Sequence, residues 1–239
     1  MTACRTTQYR NITAKNKSIL ATALSVLLLG CNTSATSTKA PAIPQERSPQ
    51  QARLARGERA EQSFDYYLLN LSWSPEFCHS HPNATECAQH STFVLHGLWP
   101  QNNDGTYPEN CSTQSGPRNP ATYSDIYPDP GLLMHEWRTH GTCSGLSADA
   151  FFTLARNAFH SVATPSALSQ LDHQISLPPG QILDLFTAAN PSVPRSSLAL
   201  SCGNNYLTAI EVCLNKNAQP TACGPVRSCR ANTVRIPPP

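Results

Sequence analysis

The sequence is short of charge, and much of its positive charge is gathered near its start. Lysine and arginine total 17 and aspartate and glutamate 15 across 239 residues. Arg5, Arg10, Lys15 and Lys17 stand together at the start, and Arg47, Arg53, Arg56 and Arg59 fall within one polar stretch. With the first four set aside, acidic residues outnumber basic ones, and no basic stripe is visible. A protein that holds nucleic acid nonspecifically through its phosphates needs such a stripe. That class is excluded, so any nucleic-acid partner has to be gripped at a few sites and released. Cys-X-X-Cys is also missing, which removes support for a zinc ribbon or a thioredoxin-type redox site. Internal repeats are absent. The apolar stretch Ser18 to Gly30 ("SILATALSVLLLG") falls short of the roughly 20 residues an ordinary membrane span requires.

That stretch reads instead as the core of an export signal, because four basic residues precede it. It ends at "LLGC", which resembles the lipobox of bacterial lipoproteins, with Cys31 as the lipidated first mature residue. Plain secretory cleavage nearby is the alternative. The expected layout is a lipoprotein-type signal peptide over 1–30, a flexible tether over 31–62 and a folded domain over 63–236. The tether is rich in Ser, Thr, Pro, Gln and Arg without apolar periodicity, and a coil of that length spans about 30 Å root-mean-square. Cys4 lies in the signal, leaving Cys78, Cys87, Cys111, Cys143, Cys202, Cys213, Cys223 and Cys229. An even number in an exported chain implies a disulfide framework whose connectivity the sequence leaves open.

The folded part should begin with "FDYYLLNLSW", 64–73, an aromatic and aliphatic run that suits a buried strand. "STFVLHG", 91–97, and "YLTAIEVCLN", 206–215, are further strand candidates. "GLLMHEWRTHG", 131–141, looks helical, with Gly141 as a C-terminal stop. "SADAFFTLARNAFHS", 147–161, is an amphipathic helix with Ser147 as N-cap. "PGQILDLFTAAN", 179–190, is another, closed by Pro191, and the proline-rich end, 237–239, reads as loose. Strands and helices are interspersed without a βαβ rhythm, so the fold class is α+β rather than a doubly wound sheet.

Two segments concentrate chemistry. On the first helix, Glu136 and His140 are four apart and share a face. A carboxylate beside an imidazole orients it and raises its pKa, which suits a proton-transfer group. A zinc site of the "HE…H" kind needs histidines four apart. His135 and His140 are five apart, about 140° around the helix, and cannot face one ion without unwinding it. No metal is expected. In the strand, His96 sits among Phe93, Val94, Leu95, Leu98 and Trp99, where a lone histidine is more often a core residue. Trp99 and Tyr107, read as lying on a polar loop with Pro100, Asn102, Asn103, Asp104 and Gly105, change that balance, because aromatics beside a histidine suit stacking on a flat base. Two histidines on different elements, one a base and one an acid, can carry metal-free phosphoryl transfer.

"FVLHGLWPQ" and "HEWRTHGTC" resemble the two active-site segments of the ribonuclease T2 family, and the likeness runs from "FDYYLLNLSWSPEFC" through "YPENC" to "IEVC" and the last cysteines, about 64–230. The resemblance implies an α+β fold with a central antiparallel sheet flanked by helices. It implies an endoribonuclease that cleaves single-stranded RNA to 2′,3′-cyclic phosphates without cofactor. Separately, the chain is expected to be a monomer whose only membrane contact is the lipid that the "LLGC" ending points to. His140 would take the ribose 2′-OH proton and His96 would protonate the leaving 5′-oxygen. Glu136 would orient the site and His135 would bind phosphate. Trp99, Tyr107 and Gln101 would bind the base. The implied disulfides are Cys78–Cys87, Cys111–Cys143, Cys202–Cys229 and Cys213–Cys223. In two places the chain departs from the family pattern. Gln101 replaces a commonly acidic residue, and Thr139 stands where the family usually has lysine. The rival reading is a noncatalytic or weakly active RNA- or ligand-binding lipoprotein that retains the fold.

Overall fold

In strand β1 (Tyr66–Trp73) the odd positions Tyr67, Leu69, Leu71 and Trp73 are large, apolar and buried, while the even positions change from Tyr66 and Leu68 to Asn70 and Ser72. Successive side chains of a strand point to opposite faces, so one face is core throughout and the other turns polar along its length. The computed structural model describes residues 63–89 and 92–239. The stretches read from the sequence as signal peptide and tether, with Cys31 between them, lie outside the described residues.

After β1 come α1 (Ser74–Ser80), β2 (Phe93–Gln101), α2 (Pro130–Thr139), α3 (Ala148–His160), the short α4 (Ser166–Ser169) and β3 (Ile175–Leu177). The chain then continues through α5 (Pro179–Ala189), β4 (Leu198–Gly203), β5 (Tyr206–Leu214) and β6 (Val234–Ile236). Among the described residues six strands form one sheet in the order β2-β1-β5-β6-β3, with β4 also paired to β5. The pairings are antiparallel except β5 with β6, which is parallel. The sheet is therefore mixed rather than purely antiparallel, within an α+β fold. Asn204 and Asn205, both at positive φ (51° and 65°), make the two-residue turn between β4 and β5, a conformation asparagine tolerates and tight hairpins favour.

β2 is an edge strand, and it runs further than the sequence suggests. Trp99, Pro100 and Gln101 are strand residues, not loop residues. Pro100 is accommodated because an edge strand can lack one N–H without breaking a central ladder. The helices close over the apolar face. Leu133 and Trp137 of α2, Phe151 and Phe152 of α3, and Ile182 and Phe186 of α5 join Tyr67, Leu69 and Trp73 in the main core. Truncating one of the fully buried tryptophans, Trp73 or Trp137, should cost about 3–5 kcal/mol.

Caps explain the helix limits. Asp129 caps α2, its carboxylate accepting from the Gly131 N–H at 2.7 Å, and Pro130 occupies the first turn. Ser147 caps α3 through the Ala150 N–H. α2 ends at Thr139, with His140 as its C-cap and Gly141 opening a short 3-10 turn. The C-terminal end is also anchored. β6 joins the sheet, and the Pro237 carbonyl accepts from the Trp73 indole N–H at 3.1 Å. The expectation of a loose end from 237 therefore fails at that residue.

Four disulfides join Cys78–Cys87, Cys111–Cys143, Cys202–Cys229 and Cys213–Cys223. The first links α1 to the 3-10 turn Thr85–Gln89. The second reaches from the loop after β2 to the turn after α2, where the Asn110 N–H also donates to the Thr139 carbonyl at 2.9 Å and the Cys111 N–H to Thr142 Oγ1 at 3.1 Å. Three links at one place fix that loop to the end of α2.

Candidate active site

On the polar-turning face of the sheet, Gly97 of β2 lies beside Asn70 and Trp99 beside Leu68. The Trp99 indole N–H donates to Glu136 Oε2 at 2.8 Å. A Cβ on Gly97 would collide with both the indole and this carboxylate, so only glycine lets α2 bring Glu136 against the strand. The Trp99 ring contacts both histidines. It meets His96 edge-on, with centroids 5.4 Å apart, and His140 at a tilt, with centroids 5.3 Å apart. His96, Trp99, Glu136 and His140, separated by up to 44 positions in sequence, form one cluster.

The electrostatics differ from the sequence expectation in one respect. The helical spacing sets Glu136 to orient His140 and raise its pKa, but its carboxylate turns to Trp99. Glu136 is 1 % exposed, and burial pushes its carboxyl up to about 7, with the Trp99 hydrogen bond pulling the other way. The His140 pKa is lowered to about 4, first by burial and then by His135 and His96. Its Nδ1 is buried without a hydrogen-bond partner among the described residues, so an imidazolium there would strand an N–H. His96 keeps solvent exposure, yet protein crowded round its ring, and next the charge of His135, lower its pKa. Burial thus favours the neutral form of all three groups, both imidazoles and the Glu136 carboxyl.

The remaining predicted residues sit further out. His135 is exposed on α2, close enough to influence both other histidines. Gln101 ends β2 opposite Tyr66. Tyr107 is 54 % exposed on the loop that Cys111–Cys143 fastens. Thr139 is half-buried at the last position of α2, and Arg138 is exposed. Among the described residues no three His, Cys, Asp or Glu side chains converge as metal ligands would.

Ser72 escaped the sequence reading. Its Oγ lies 3.1 Å from His96 Nδ1. The available signal was the interruption of the even positions of β1 by Asn70 and Ser72, polar residues in an otherwise apolar strand.

Residues 64–223 match the Ribonuclease T2 family. A ribonuclease of Aeromonas hydrophila is 44 % identical over 117 residues, covering 48 % of this chain and 53 % of that protein. A probable ribonuclease of Haemophilus influenzae is 34 % identical over 130 residues, covering 46 % and 47 %. The chain thus spans about half the length of these two relatives. In three dimensions the fold is similar to an RNase-related protein from Calystegia sepium, with a TM-score of 0.62 at 22 % identity over 73 % of this chain and 98 % of that one.

Proposed function

Because the chain belongs to the ribonuclease T2 family, we propose that it is an endoribonuclease that cleaves single-stranded RNA by transphosphorylation, leaving 2′,3′-cyclic phosphates, and that it uses no metal. The observation that carries this reading is the grouping of two histidines of depressed pKa around one Trp99–Glu136 pair.

His140, neutral at working pH, is the base. It takes the ribose 2′-OH proton as O2′ attacks phosphorus. His96 is the acid. Its pKa is low in the free protein, and a phosphodiester anion beside it favours the charged form. It gives its proton to the 5′-oxygen as the P–O5′ bond breaks, so the products are a cyclic phosphate and a 5′-hydroxyl. Glu136 works best in its neutral form, donating a hydrogen bond to a non-bridging phosphate oxygen. Once ionised it would repel the phosphate. His135, exposed beside both histidines, binds phosphate, and Trp99, Gln101 and Tyr107 form the base site. A positioned acid or base contributes about 10²–10⁴-fold, so His96→Ala and His140→Ala should each lose activity on that scale.

In this reading the domain over 63–236 is carried as a lipoprotein, held by lipid on Cys31 through the 31–62 tether and facing the periplasm. The basic and apolar signal, the "LLGC" ending and four disulfides support export. Among the described residues no helix is long and apolar enough to cross a membrane.

The test is cleavage of matched RNA and 2′-deoxy oligonucleotides with a metal chelator present. RNA should be cut and the deoxy strand spared. Loss of RNA cleavage in chelator, or comparable cutting of the deoxy strand, would reject the proposal.

A further inference from the structure

The register of β1 on β2 isolates one residue. Tyr66 to Asn70 pair in order with Gln101 to Gly97, and Leu71 to Trp73 pair with Leu95 to Phe93. His96 is left over between Gly97 and Leu95, at the register shift. An extra residue in one strand bends that strand, leaves the residue outside the ladder and re-aims its side chain. On β1, one pair beyond the register shift, Ser72, the partner of Val94, brings its hydroxyl to 3.1 Å from His96 Nδ1.

We infer that Ser72 is a positioning residue for His96, its hydroxyl accepting the Nδ1–H so that Nε2 faces the leaving 5′-oxygen and is the nitrogen that releases the proton. This rests on the reading of His96 as the acid.

The chemistry is consistent through the cycle. An imidazolium donates from both nitrogens, and a hydroxyl oxygen at Nδ1 satisfies one donor and favours the charged form. When Nε2 gives its proton to O5′, the remaining proton stays on Nδ1, still bonded to Ser72. The neutral ring is then already in the tautomer that can be reprotonated at Nε2. The other groups facing this ring give no such support. Trp99 of β2 meets it edge-on. From α2 and its cap, His135 opposes its charge, His140 is coupled to it, and the Glu136 carboxyl is engaged by Trp99.

The test compares Ser72→Ala, Ser72→Thr and His96→Ala on two substrates. One is RNA. The other is a nucleoside 3′-(4-nitrophenyl) phosphate, whose leaving group departs without a proton. Ser72→Ala should lower kcat on RNA by about 10–100-fold, the worth of a hydrogen bond to a charged group. It should move the alkaline limb of the pH profile to lower pH and leave the nitrophenyl ester nearly unaffected. Ser72→Thr should restore both. In the unaltered protein, imidazole nitrogen spectra should show His96 protonated at Nδ1 in its neutral form, a reading that does not depend on any variant folding. Ser72→Ala acting like the parent on RNA, losing equally on both substrates without a shifted limb, or a neutral His96 carrying its proton on Nε2 would each overturn the inference. If His96→Ala loses as much on the nitrophenyl ester as on RNA, the acid role of His96 fails first, and the inference with it.

Discussion

The indole N–H of Trp99 donates to Oε2 of Glu136 at 2.8 Å, joining the edge strand to the helix that carries Glu136 and ends at the His140 cap. This bond restrains the carboxyl pKa against the upward push of burial. Trp99→Phe keeps an aromatic ring and removes the donor. The Glu136 pKa should then rise above about 7, and the protein should lose about 1–3 kcal/mol for the orphaned acceptor. Carboxyl titration by carbon NMR, together with urea unfolding, checks both. An unchanged Glu136 pKa would contradict the pairing.

Glu136 and His140 impose opposite pH dependences on stability. The folded protein keeps the Glu136 proton up to about 7, whereas the unfolded chain releases it near 4.5. That contribution is complete below about 4.5 and lost as pH rises through 7. His140, depressed to about 4 from 6.5, contributes fully above 6.5 and loses its contribution as pH falls through 4. Glu136→Gln removes the first dependence only. The variant should be more stable than the parent at about pH 8, by up to about 3 kcal/mol, and similar to it at about pH 4. Denaturant melts across that range decide, and a variant no more stable at the alkaline end would reject the burial-driven shift.

Thr139, half-buried at the end of α2, stands where the family resemblance places a lysine. A positioned donor acting on transition-state charge is worth about 10²–10³ in rate when removed. Thr139→Lys should therefore raise kcat by about 10-fold or more, and KM should change less, because the interaction strengthens as charge develops. If Arg138 already supplies that charge, Arg138→Ala should cost a comparable factor and Thr139→Lys should gain little. Neither substitution moving kcat by more than about twofold would assign charge stabilisation elsewhere, with His135 the next candidate.

The bridge Cys111–Cys143 closes a separation of 32 residues, and a loop of that size implies about 3–4 kcal/mol of stabilisation. The double Cys→Ser variant should lose about that much. It should also lose affinity for RNA at temperatures where it is still folded, because the loop bearing Tyr107 is then held to the end of α2 by hydrogen bonds alone. Unchanged KM in the folded variant would leave the bridge with a stabilising role alone.

Much of this architecture is legible in the sequence where one periodicity runs long enough. β1, α3 and α5 show it, and so do the two histidine segments. β3 and β6 are not legible, since three residues carry no period, and β6 earns its place only by pairing with β3 and β5. The bulge at His96 exists only in the register of β2 against β1, so Ser72 could not be tied to it beforehand. Glu136 shows the limit of helical spacing. Four residues from His140, it bonds instead to Trp99, because β2 continues through Trp99 and Gly97 leaves room for the carboxylate. Local spacing cannot rank two neighbours when one of them arrives from another strand.

Phosphorus NMR of a dinucleoside monophosphate digested with chelator present tests the central claim most directly. The account predicts that a 2′,3′-cyclic phosphate forms as the first product in the same step that frees the 5′-hydroxyl, and that His140→Ala slows its appearance by about 10²–10⁴-fold. A linear phosphomonoester formed directly, with no cyclic species before it, would contradict transphosphorylation and the roles given to both histidines.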